Sequence, residues 1–206
     1  MNKKIGMISS LVNVIAVIGF ALSMLAKNNM CSYVCSMFIS FSFVPMICSY
    51  FFYSKEKTKV AGMIATCFSC MYSVIICLVY FTQITTVKND SLTPQSFMLL
   101  DFEQFSLFFN FDMLGYALMS LSTFFIGFTI EAETRKDKGL KILLLLHGVF
   151  SISCLVIPTL GLFSSMDGAD FIGIAVLEFW CTYFTPISVL SFLHFYNKDE
   201  HNANLN

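Results

Sequence analysis

Six long apolar stretches, at about 5–26, 31–53, 60–87, 106–130, 142–163 and 171–196, constrain this chain more than any other feature. Each is near or above the ~20 residues that a helix needs to cross the hydrocarbon of a bilayer. No water is available there to bond a bare backbone, so uninterrupted apolar runs of this length predict helices. The expected fold class is all-α: a polytopic membrane protein, a bundle of six transmembrane helices forming a single transmembrane domain over 1–206. What remains is short connections, a loop at 88–105 and a polar tail at 197–206. No soluble domain of useful size fits in those pieces. Charged residues make up only 12% of the chain, against the ~25% of ordinary soluble domains.

Lysine and arginine set the expected orientation, because they concentrate on the cytoplasmic side of short loops. With six spans, Lys3, Lys4, Lys55, Lys57, Lys59, Arg135, Lys136, Lys138, Lys141 and Lys198 fall on one side, and only Lys27 and Lys88 on the other. Both termini are therefore expected in the cytoplasm. The inner side has ten basic against six acidic residues (+4), and the outer side two against six (−4), leaving Glu178 aside. An acidic outer face favours cations or protons over anions. Nothing in the pattern suits nucleic acid. The start also fits a signal peptide, with Lys3 and Lys4 ahead of an apolar core and Ala21, Leu22 and Ser23 as a cleavage site. An uncleaved first helix is preferred, because the run is long and Ser9, Ser10 and Asn13 give it a polar seam.

Membrane helices pack through small and weakly polar residues, so their inward stripes can be read at spacings of three and four. The third span is expected to turn Gly62, Thr66, Ser69, Cys70, Ser73 and Cys77 inward, and the fourth Asp112, Gly115, Tyr116, Ser120, Thr123 and Gly127. The fifth lines up His147, Ser151, Cys154, Pro158 and Gly161, and the sixth Glu178, Cys181, Thr182, Thr185 and Pro186. Kinks are expected at Pro45, Pro158 and Pro186, each of which removes one backbone donor.

Cys67 and Cys70 have the spacing of a redox pair, but they sit within a span, where they read as small hydrophobes. His147 and His194 lack the further ligands of a metal site, and no glycine loop or catalytic motif occurs, so no cofactor, metal or catalytic residue is expected. His147 is the one intramembrane polar candidate, expected to bond a backbone carbonyl or a serine of a neighbouring helix. The loop 88–105 offers Thr93 and Pro94 as a helix start, and Asp167, Gly168 and Asp170 suggest a tight turn with an N-cap.

The binding candidates share the outer third of their helices: Glu178, Asp112, Tyr116, Gln83 and Asn110. No lysine or arginine shares that layer, and acids gathered without a cation suit a proton or a cationic or amine-bearing molecule. Counted from Asp170, Glu178 lies ~12 Å inside the span; counted back from Tyr196, it lies at the interface. Trp180, as a residue of the interfacial belt, favours the second ruler.

As a whole the chain resembles the small, uncharacterised six-helix integral membrane proteins of bacteria. The resemblance covers the full length through overall pattern, has no diagnostic motif, and implies the fold and no activity. Low arginine with abundant Lys, Asn, Ile and Phe fits an AT-rich bacterial genome and hence the bacterial cytoplasmic membrane. The leading expectation is a non-enzymatic protein that binds or transports a small cationic or proton-coupled solute through an outward-facing polar site. The alternative is an accessory or sensory protein whose helix faces or inner loops contact a protein partner or a second copy. A third is an enzyme acting on lipid, with Glu178 or Asp112 as acid or base. Reporter fusions at Lys57, Lys138 and the C-terminus should read as cytoplasmic, and fusions near Asp90 and Asp167 as external; an external C-terminus would overturn the six-span topology.

Overall fold

A computed structural model describes residues 1–89, 92–102, 106–161 and 169–198. Six helical segments in it are long and apolar enough to cross a membrane, and the described residues form no strand. The first three spans are α1 (Asn2–Leu25), α2 (Asn29–Phe52) and α3 (Lys59–Thr82), the last extended by a π-helical turn at Gln83–Val87. A short helix, α4 (Pro94–Leu100), begins where the sequence predicts, with Pro94 in its first turn and the Thr93 hydroxyl accepting from the Ser96 N–H. The fourth span is α5 (Leu107–Gly127). The turn expected at Asp167 and Gly168, and the tail beyond Lys198, lie outside the described residues.

The fifth span departs from expectation at its start. Its helix α6 (Arg135–His147) begins seven residues before 142, because the charged run ahead of the apolar stretch is wound into helix. Thr134 starts it: its hydroxyl accepts from the Asp137 N–H at 3.1 Å, satisfying one orphan donor of the first turn, and donates to the Asp137 carboxylate at 2.6 Å. The span is then interrupted at Gly148 and Val149 and resumes as α7 (Phe150–Thr159). There the amides of Gly148, Val149, Ser151 and Ile152 bond three residues back rather than four. Gly148 lets Phe124 lie against this turn; an added Cβ would sit 2.8 Å from that ring. The break thus falls ten residues before Pro158, which lies in the last turn of α7. The last span, α8 (Ala169–Asn197), runs on through Pro186.

The spans form a closed ring in chain order: each packs against its sequence neighbours, and α8 returns to α1. Every interface in the ring carries a hydrogen bond between its two helices. Asn13 of α1 donates to the Ile39 carbonyl and the Ser42 hydroxyl of α2, and accepts from Ser188 of α8 at 2.8 Å. Ser40 of α2 meets the Cys77 thiol of α3, and Ser122 of α5 donates to the Ala65 carbonyl of α3. His147 of α6 bonds Thr123 of α5 and Trp180 of α8, and the Tyr183 hydroxyl of α8 donates to the Leu143 carbonyl of α6.

Two of the predicted stripes are rotated. On α3 the buried face is Gly62, Ala65, Ser69, Tyr72, Ile76, Val79 and Tyr80, while Cys70 is exposed beside Cys67 on the outward face. On α8 the bulky Trp180, Phe184 and Ile187 face inward with Ser188 and Ser191, and Thr182 and Pro186 face out. The small-residue rule fails in both helices for one reason: the middle of a six-membered ring is wide and must be filled with large side chains. The predicted stripe of α5 is buried throughout.

The lysine-rich end is tied together by ion pairs. Lys55 reaches Glu131 across the two connections at that end at 2.5 Å, and that hydrogen bond raises the lysine above its ordinary pKa. Lys141 donates to the Ile130 carbonyl, and Lys59 pairs with Glu56.

Interhelical hydrogen bonds in membranes average about 0.6 kcal/mol each. Asn13→Leu removes three of them, so it should destabilise the protein by about 2 kcal/mol and lower its melting temperature in detergent. Replacing both Cys67 and Cys70 by alanine should leave that temperature unchanged, and no disulfide between them should appear in a mass spectrum of the oxidised protein.

Candidate functional site

The ring has an aromatic septum instead of a pore. Phe43 of α2, Tyr72 of α3, Tyr116 of α5, and Trp180 and Phe184 of α8 meet at centroid separations of 5.0 to 6.3 Å across the bundle axis. All five are buried.

His147 borders this septum and is fully bonded. The Trp180 indole N–H can only donate, so His147 Nε2, 3.0 Å away, is the acceptor. The ring proton therefore sits on Nδ1, which donates to the Thr123 hydroxyl at 2.7 Å; that hydroxyl in turn donates to the Ser120 carbonyl. A neutral imidazole with both nitrogens used is a bracket for three helices, placed where the fifth span breaks.

On the side of the septum away from the lysine-rich end, the bonding is incomplete. Asp112 of α5 is 2% exposed, and its Oδ1 has no hydrogen-bond partner. The Tyr80 hydroxyl of α3 lies beside it and beside Ser36 of α2, whose own buried hydroxyl is also unpartnered. Tyr72 and Tyr116 complete the surroundings of the carboxyl. Among the described residues no lysine, arginine or histidine neutralises it.

This cluster is roofed by the segment that follows α4, and Gln83 holds the roof. Its amide donates to the Leu100 carbonyl at 2.7 Å and accepts from the Phe102 N–H at 3.1 Å. Phe102 then packs on Tyr80 and Tyr33, with centroids 5.8 and 6.2 Å away. The π-turn beginning at Gln83 contributes an extra residue at this point, a feature frequent at functional sites.

The five binding candidates thus separate. Asp112 and Tyr116 share the cluster, Gln83 is its roof fastening, and Asn110 is exposed, about 200° around α5 from Asp112. Glu178 and Asp112 do not form a carboxylate pair, since neither acts electrostatically on the other. Trp180 faces into the bundle, so it gives no ruler for the depth of Glu178. It is buried in the septum, bonded to His147, because its N–H finds a partner there that the headgroup layer would otherwise supply. Glu178 lies two residues before Trp180, about 200° around α8. Part of its side chain is exposed, and its Oε1 is enclosed without a partner. Two cavities stand out at the surface, one of about 380 Å³ against Val87 and α4 and one of about 300 Å³ between the connections at the lysine-rich end; neither is lined by Asp112 or Glu178. No group of three metal-ligating side chains occurs among the described residues.

Sequence reasoning missed Ser36, Tyr72 and Tyr80. The available signal was the spacing of Tyr72, Tyr80 and Gln83, which share one helical face beside the small-residue stripe. Compared with known proteins, the chain matches no family model, and no curated protein or solved structure matches it significantly. Gln83→Ala should release the roof: amide hydrogen exchange at Leu100 to Phe102 should accelerate, while exchange in the middle of α1 and α2 stays as in the parent protein.

Proposed function

We propose that this chain is a multi-pass protein of the cell membrane, its lysine-rich end and both termini in the cytoplasm, that binds and transports a small cation in exchange for a proton at Asp112. The single observation carrying this reading is the buried, unpartnered Asp112 oxygen in a cluster with no cationic side chain. An ionised carboxylate withdrawn from water costs several kcal/mol unless it is paired. The chain supplies hydroxyls and aromatic rings instead of a lysine or arginine, so the neutralising charge comes from outside: a proton or a small cation. Tyr72, Tyr80 and Tyr116 bring hydroxyl oxygens near the carboxyl that a cation can share, and the acidic outer face raises its local concentration. Septum and roof both close the site in this conformation. Transport then requires the segment at 100–102 to lift for entry and the helices around His147 to rearrange for release.

Glu178 is assigned a secondary place, as a carboxylate nearer the outer end that draws cations toward the bundle. The accessory-protein reading has less support, because Lys55 with Glu131 and His194 with Asp137 spend inner charges within the chain. The lipid-enzyme reading is weaker still, since Asp112 is buried inside the ring of helices, away from the faces that meet lipid.

The test is proton movement in proteoliposomes carrying a pH-sensitive dye, driven by gradients of sodium, potassium, ammonium or small primary amines. At least one cation should drive proton movement through the parent protein. Asp112→Asn, which preserves shape but cannot hold the charge, should abolish it, and Glu178→Gln should slow it without abolishing it. Absence of cation-driven proton movement in the parent protein would contradict the proposal.

A further inference from the structure

The lysine-rich half of the bundle contains a second incomplete polar feature, which the site at Asp112 does not involve. His194 of α8 lies 2.6 Å from Asp137 of α6 through Nδ1, with side-chain exposures of 6% and 15%. The ring of His194 packs at 5.4 Å on Tyr50 of α2, which is 2% exposed. The Tyr50 hydroxyl lies close to Ser191, one turn of α8 deeper, yet it makes no hydrogen bond, and the Ser191 hydroxyl is committed to the Ile187 carbonyl. Ser191 and Ser188 are fully buried, and Ser188 bonds Asn13. Polar side chains on one stripe of α8 therefore lead from His194, near the surface, to the fully buried Ser191 and Ser188 in the middle of the bundle. Phe43 and Phe184 close the far end of that stripe.

We infer that Asp137, His194, Tyr50 and Ser191 form a hydrated proton-uptake path that enters the bundle from its lysine-rich end and stops at the aromatic septum. The unsatisfied Tyr50 hydroxyl points to the water. A phenylalanine would keep both ring contacts of this residue, with His194 and with Phe195 at 4.5 Å, and would bury no polar atom. A buried hydroxyl kept without a protein partner calls for a water able to bond both it and Ser191. His194 is the one group on the path able to take up a proton as a base and pass it on near neutral pH. The proton from the aqueous side is held as an imidazolium against the Asp137 carboxylate. When it is released inward to the water at Tyr50, the ring returns to neutral, and only N–H and O–H bonds form or break. The other charged groups that act on His194 are Glu133, in the connection before α6, and Lys198, just beyond α8. His147 does not belong to this path, because both of its nitrogens are already bonded.

The test uses the full chain in lipid nanodiscs. In hydroxyl-radical footprinting, which labels buried side chains lying against bound water, Tyr50 should be modified at the rate of the exposed Tyr196, and Phe184 should stay unmodified. In a ring-¹⁵N NMR titration over about pH 5 to 8, the His194 signals should move, and those of His147 should keep the pattern of a proton on Nδ1. Asp112→Asn should leave both results unchanged, so that failure of the cation reading and failure of this path can be told apart. If Tyr50 resists labelling as Phe184 does, the Asp137 and His194 pair is only an anchor between two helices and the path is overturned. A His194 ring that does not respond to pH overturns it equally.

Discussion

A polar group inside this bundle is supportable only when another group bonds it, and the whole architecture follows from that constraint. Apolar faces do not attract one another strongly in a lipid medium, so packing contacts and interhelical hydrogen bonds must define which helices touch. The chain meets this requirement interface by interface. Asn13 joins three helices at one point of the ring, and His147 joins three at another. Between them, serine hydroxyls reach the Ala65 backbone and the Cys77 thiol on α3. The ring closes because each bond gives a polar side chain the partner it would otherwise lack in the apolar interior.

Nearly complete satisfaction gives the exceptions their weight. Four buried side-chain atoms among the described residues lack a partner, on Ser36, Tyr50, Asp112 and Glu178. Ser36 and Asp112 meet beside Tyr80 on one side of the aromatic septum, and Tyr50 lies with His194 on the other. The septum itself is buried and close-packed. A bundle arranged in this way holds two polar compartments apart, and passage from one to the other requires the aromatic layer to shift. The broken fifth span adjoins that layer at His147, so movement of α7 against α6 at Gly148 would be felt there directly.

The six spans were legible in the sequence because hydrophobic length is a local property, and so was the stripe of α5, where one face is both small and polar. The stripes of α3 and α8 were not. Their inward faces are set by the width of the ring, which depends on how all six helices pack and has no trace in the spacing of either helix alone. That Trp180 would turn into the bundle was hidden for a related reason: its acceptor, His147, lies 33 residues away in the chain. Asp112 and Tyr116 stood out as polar residues in an apolar run. That Glu178 would lie apart from them, and that Gln83 would fasten the roof, depended on the paths of α8 and of the segment after α4.

The claim on which the rest turns is that one oxygen of Asp112 is left without a partner in the chain because something from outside completes it. A ligand that binds the folded state alone raises stability by about 2.7 kcal/mol at a hundred times its dissociation constant. The direct measurement is the melting temperature of the purified protein across a panel of monovalent cations and small amines at fixed ionic strength, for the parent chain and for Asp112→Asn. One or more of these cations should raise the melting temperature of the parent protein and leave that of the variant unmoved. Equal shifts in both proteins, or none in either, would contradict the assignment of Asp112 as a cation site.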